Sequence, residues 1–249
     1  MRTPPTAAVT DSMLVNAMTL GIDLVSAEVL RAFGDAGVES ILLKGPTLRR
    51  ELYGDRPRPY SDTDLLVAPA GLDRAGAVLT ALGFSLAVDH RRHAVVEPHA
   101  QEWTRDEPIR VVDLHWRIPG VRLDAAQAWA VLSARTQPFA LADAPARSLD
   151  RTGIALLVAL HAANPASGSG LAASDLALAI ERFDRETWDA AARLADRLDA
   201  REAMAAGLGT APGGPQLARA LLLPQARSRK LRLSAARAAP GAHGLLRLA

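Results

Sequence analysis

Apolar and polar positions change period several times along the first 120 residues. Val29, Leu30 and Phe33 fall at helical spacing behind Ser26, which is placed to cap a helix that Gly37 ends. Residues 39–43 read as a short buried strand stopping at Lys44-Gly45-Pro46, and residues 47–54 supply about two helical turns. Pro57 and Pro59 make residues 55–60 a loop. A strand resumes at residues 63–68. Leu72, Ala75, Leu79 and Leu82 then line one face of a helix that Gly83 closes. Residues 84–118 predict two or three further strands, clearest at residues 109–118, where β-branched residues lead into alternation.

From Asp124 onward the pattern is helical. Asp124, Asp150 and Ser174 are candidate N-caps ahead of apolar periods carried by Trp129 and Leu132, by Ile154, Leu157 and Val158, and by Leu176, Ile180 and Phe183. Trp188, Ala191, Ala195 and Leu198 mark one more helix, residues 164–170 a flexible connection, and the glycine- and proline-rich residues 207–215 a linker. The predicted class is α+β: a small mixed sheet with flanking helices over residues 1–120, a helical part over residues 121–206, then linker and tail over residues 207–249.

Composition narrows the chemistry. The 249 residues contain no cysteine, so disulfides, thiol nucleophiles and thiolate zinc sites are excluded, and any metal must sit on oxygen or imidazole. No apolar run is long enough to span a bilayer, and the first residues lack the order of a secretion signal, so a cytoplasmic protein is expected. The net charge of +2 hides an asymmetry: residues 1–202 hold 22 bases against 27 acids, and all seven bases beyond Glu202, from Arg219 to Arg247, lie in a tail without acids. That tail has no interleaved aromatics to stack on bases, so nucleic acid is not an expected partner.

Asp62 and Asp64 lie two apart on a predicted strand and therefore share a face. Leu65, Leu66 and Val67 bury the strand behind them, so two carboxylates at its mouth demand a compensating cation. Asp113 sits in the apolar run Val111-Val112-Asp113-Leu114, where an isolated carboxylate is again costly. Lys44-Gly45, at the turn from strand to helix, puts backbone N–H groups and a cation toward the same region, which suits a polyphosphate. Lys44 is one of only two lysines against 27 arginines.

The order strand-Lys-Gly, helix, Arg-Pro loop, Ser-Asp-Thr-Asp-Leu-Leu-Val and later Val-Asp-Leu-His-Trp resembles the uncharacterised nucleotidyltransferase family of the DNA polymerase beta-like superfamily, over residues 20–205. The resemblance implies a nucleotidyltransferase core with Asp62, Asp64 and Asp113 as catalytic carboxylates on two Mg²⁺ ions. It also implies Lys44 and Gly45 as the phosphate turn and a nucleoside triphosphate, expected to be ATP, as co-substrate. Ser61, Thr47 and Arg58 are further expected contacts: Thr47 would replace the hydroxyl of the superfamily's Gly-Ser turn, which here reads Gly45-Pro46, and Arg58 rides on the longer Pro-rich loop. The implied reaction moves a nucleoside monophosphate to a hydroxyl of a small-molecule, peptide or protein acceptor, with Asp113 taking the proton.

His115 shares a strand face with Asp113 but equally suits packing beside Trp116, and is left outside the catalytic set. His90, His93 and His99 have a spacing seen in metal sites but fall in a loop-like, Arg-rich stretch. His161 reads as a core histidine, and Asp175 and Trp188 as residues shaping an acceptor pocket. Two other functions fit the same residues: a phosphoryl transferase, and a non-catalytic module that binds a partner protein through the helical half or basic tail.

Overall fold

A computed structural model describes residues 7–89, 99–106, 110–164 and 169–224. Its centre is one seven-stranded mixed sheet whose strands lie side by side in the order 85–89, 100–105, 110–115, 62–67, 40–42, 144–149 and 136–141. Helix α1 (Ala7–Asp35) precedes β1 (Ser40–Leu42), and a short helix α2 (Pro46–Leu48) runs into a π-helical turn over Arg49–Tyr53. Strand β2 (Asp62–Val67), helix α3 (Leu72–Ala81) and strands β3 (Ser85–Asp89), β4 (Ala100–Arg105) and β5 (Arg110–His115) follow. Then come α4 (Ala125–Ser133), the hairpin of β6 (Thr136–Leu141) and β7 (Ala144–Leu149), and five helices: α5 (Arg151–Ala163), α6 (Ser169–Arg182), α7 (Arg185–Arg197), α8 (Arg201–Leu208) and α9 (Gly214–Ala220).

Strand alternation separates two cores. Leu42, Leu65 and Val67 face α1 and α3, where they meet Phe33, Leu79 and Phe84. Ile41, Leu43 and Leu66 point the other way, into the larger core built by α5, α7 and α8. Helix α5 is apolar on every side from Gly153 to Leu160 and is buried throughout that run, as such a helix must be. Glycine permits its closest crossing: a Cβ on Gly207 of α8 would lie 1.8 Å from the Ala159 carbonyl oxygen of α5.

Several expectations are corrected. The hairpin over residues 136–149 interrupts the expected all-helical half and joins the sheet, since β7 pairs with β1 in parallel. It lacks β-branched richness, and Ala142 and Asp143 make its turn at φ 43° and 64° where Asn-Gly would have been the legible signal. Ser26 caps nothing. The helix begins far earlier, and the Ser26 hydroxyl is buried on Ile22 O and Thr63 Oγ1. Ser174 lies inside α6, whereas Asp124 and Asp150 do cap α4 and α5. Residues 207–215 are not a linker, because Leu208 and Ala211 are buried and α9 packs on α8. Among the described residues no helix is long and apolar enough to cross a membrane.

Candidate active site

The parallel pairing of β2 with β5 sets Asp64 directly beside Asp113. Period two brings Asp62 and His115 onto the same face, and β4 adds Glu102 opposite Asp113. At the end of β1 the Leu43 N–H donates to Asp64 O at 3.1 Å, which starts the Lys44-Gly45 turn against β2. Gly45 takes φ +57°, and a Cβ there would meet Tyr60 Cδ2 at 3.3 Å. Thus only glycine lets the turn bend and the ring pack together.

These elements enclose a cavity of about 380 Å³. Lys44, Gly45, Arg58, Ser61, Asp62, Asp64 and Asp113 all line it, so seven of the eight residues singled out in the sequence come together. Thr47 does not. It is buried, its hydroxyl donates to Leu43 O at 2.9 Å, and its N–H donates to Lys44 O at 3.3 Å. Pro46 offers no N–H, so the turn presents the Lys44 ammonium rather than a row of donors.

Lys44 Nζ lies 2.6 Å from Asp64 Oδ1, and His115 Nε2 lies 3.1 Å from the same oxygen. Burial works against the charge on Asp64, but Lys44 and His115 outweigh it and hold this carboxyl well below the usual range. The remaining acids carry the strain of crowding. Burial, then Asp64 and Asp62, push Asp113 up to about 7, while burial and Asp64 raise Asp62. Burial lowers His115. Asp64, Asp113 and His115 can present one ligand atom each within 4.8 Å of one another. Two crowded carboxylates with a raised pKa and a donor set dominated by oxygen suit a divalent cation, which would relieve their repulsion.

Sequence reasoning did not assign Tyr60, His99, Asn164 or Leu171 to this site, yet they line it. His99 stacks on His115 with ring centroids 5.8 Å apart. His90 and His93 of the expected histidine cluster lie outside the described residues. His161 lines the cavity rather than the core, its pKa lowered to about 4 by burial and by Lys44. Asp175 is fully buried and pairs with Arg58, with Nε on Oδ1 at 2.9 Å and Nη2 on Oδ2 at 2.6 Å. Trp188 belongs to the core beside Phe183. Neither is among the residues that line the cavity, and nothing in the spacing of residues distinguished the buried ion pair from the core position.

The sheet thus joins carboxylates of two parallel strands beside a glycine turn. The chain belongs to the family described as uncharacterised nucleotidyltransferase, whose model matches residues 19–212. None of the curated proteins matches it. Among solved structures it is similar to the antibiotic-resistance factor ANT(2'')-Ia, at 16% identity and a TM-score of 0.49, covering 74% of this chain and 96% of that one. It is also similar to an antigenic nucleotidyltransferase-like protein from Paracoccidioides brasiliensis, at 14% identity and a TM-score of 0.44, covering 74% and 92%.

Proposed function

We propose that this chain transfers a nucleoside monophosphate from a nucleoside triphosphate, with ATP the expected donor, to a hydroxyl of a small-molecule, peptide or protein acceptor. The observation that carries the reading is the convergence of Asp62, Asp64 and Asp113 with Lys44 on one cavity. Asp62, Asp64 and Asp113 would hold two Mg²⁺ ions, and the crowding that raises Asp113 and Asp62 supports a cation there. Bound metal supplies charge neutralisation and Lewis-acid polarisation.

The chain's own residues do the rest. Lys44 and the Gly45 turn receive the phosphates, Ser61 offers a hydroxyl from just before β2, and Arg58, which also lines the cavity, offers its guanidinium. His115 fixes Asp64 through Nε2. The acceptor oxygen attacks the α-phosphorus, a new P–O bond forms, the α–β bridging bond breaks, and pyrophosphate leaves. Asp113 accepts the hydroxyl proton, a role supported by its place beside Asp64. A cytoplasmic setting, where ATP and Mg²⁺ are at hand, completes the proposal.

Water serves as acceptor in the test. Incubation of the chain with MgATP alone should slowly yield AMP and pyrophosphate. Formation of ADP and phosphate instead would overturn nucleotidyl transfer in favour of phosphoryl transfer.

A further inference from the structure

Arg58 and Asp175 lie 117 residues apart in sequence and are 3% and 0% exposed. Their contact is side-on, through Nε and Nη2, and the Tyr53 hydroxyl donates a third bond to Asp175 Oδ1 at 2.8 Å. The acceptor side of this cluster raises Tyr53 to about 12, by burial and by the Asp175 charge. Replacing a buried ion pair with apolar groups of similar volume is often neutral or stabilising. Stability therefore does not explain why the fold keeps one here.

Guanidinium geometry offers a reason. A side-on pair consumes Nε–H and one Nη2–H and leaves the end-on edge, with both Nη1 hydrogens and the other Nη2 hydrogen, directed away from the carboxylate. Arg58 has no other hydrogen-bond partner among the described residues, and it lines the cavity that Asp62, Asp64 and Ser61 line. Its charge is felt at Asp62 and Asp64. The backbone around it is a loop without regular structure, pinned on its far side where the Tyr60 hydroxyl donates to Asp23 of α1 at 2.5 Å.

We propose that Asp175, assisted by Tyr53, is a positioning residue that aims the end-on edge of Arg58 at the phosphates of the nucleoside triphosphate, so that α6 completes the phosphate site. This rests on the reading of the cavity as a triphosphate site. Asp175 touches no substrate; it acts through Arg58, whose planar fork then grips a phosphate in two-point fashion.

Calorimetric titration with MgATP and thermal melting test it on the full chain. Asp175→Asn should melt lower and bind MgATP at least tenfold more weakly. Arg58→Met/Asp175→Leu removes both charges and should melt at or above the wild-type temperature while keeping that tenfold loss. A purely structural pair would instead make affinity follow stability, so a folded double variant binding within twofold of wild type overturns the proposal. If the double variant does not fold, Arg58→Lys serves: it keeps the charge and loses the fork, and wild-type affinity there is equally fatal. Absence of MgATP binding by the wild type itself would overturn the triphosphate site, and this proposal with it.

Discussion

Lys44→Met isolates the electrostatic centre of the site. The Lys44 ammonium and the Asp64 carboxylate meet at 2.6 Å with 19% and 3% of their side chains exposed. At an effective dielectric constant of about 20, two unit charges at that separation attract by about 6 kcal/mol. Desolvation of both groups offsets part of this, and removing one partner of such a pair costs about 3–5 kcal/mol. For a chain of this size each kcal/mol moves the melting temperature by about 2–4 °C, so the variant should melt about 6–20 °C lower at pH 7 without divalent ions.

The pH dependence has a definite sign. Folding depresses the Asp64 pKa below 3.8, so the pair's contribution is complete above that value and is lost as pH falls through the folded pKa. In the variant, burial no longer has Lys44 to oppose it, and His115 loses a neighbouring positive charge that lowers its pKa. Protons then bind the variant more readily, and its deficit should shrink toward about pH 4. A divalent ion can take the ammonium's place, and at a hundredfold excess over its Kd returns about 2.7 kcal/mol. Scanning calorimetry at pH 7 and pH 4, with and without Mg²⁺, gives all these values. A variant melting with the wild type at pH 7 in a chelator would refute Lys44 as the counter-ion of Asp64.

Asp113 should behave in the opposite sense. Its folded pKa of about 7 lies above 3.8, so its charge opposes folding above about pH 7 and costs nothing below 3.8; Asp113→Asn should raise the melting temperature of the metal-free chain at pH 8, leave it unchanged near pH 3.5, and abolish AMP formation. Gly45→Ala forces a side chain into positive φ against the Tyr60 ring; we expect a loss of about 1–2 kcal/mol by denaturant unfolding, together with weaker MgATP binding. Gly207→Ala places a methyl group 1.8 Å from the Ala159 carbonyl. Urea unfolding should show a loss of about 3 kcal/mol or more, because backbone rather than a flexible side chain must move.

The parts of this molecule legible in its sequence are those where periodicity and chemistry coincide. Asp62 and Asp64 stand two apart at the head of an apolar strand, and Asp113 interrupts another, so both burial cost and shared face could be read directly. Pairing could not: the β2–β5 register that sets Asp64 against Asp113 depends on contacts some fifty residues apart. The β6–β7 hairpin was hidden because its turn uses Ala142 and Asp143 at positive φ and its strands carry prolines at exposed or edge positions. Glycines at 207 and 214 look like punctuation, yet each sits where a Cβ would strike backbone at 1.8 Å. Thr47 illustrates the reverse error, since a hydroxyl next to a glycine turn is free to point at its own backbone, and here it does. Asp175 was singled out for an acceptor pocket instead, because no local feature pointed to its pairing with an arginine more than a hundred residues earlier.

Metal-dependent triphosphate binding is tested most directly by calorimetric titration of the full chain with each of the four nucleoside triphosphates, with Mg²⁺ and with chelator, on the wild type and on Asp62→Asn/Asp64→Asn. Saturable binding of at least one triphosphate, ATP foremost, that requires both Mg²⁺ and the two aspartates is the expected result. Binding that survives the double substitution or the chelator would contradict the metal site. A folded wild type that binds none of the four would contradict nucleotidyl transfer and favour a partner-binding role for the fold.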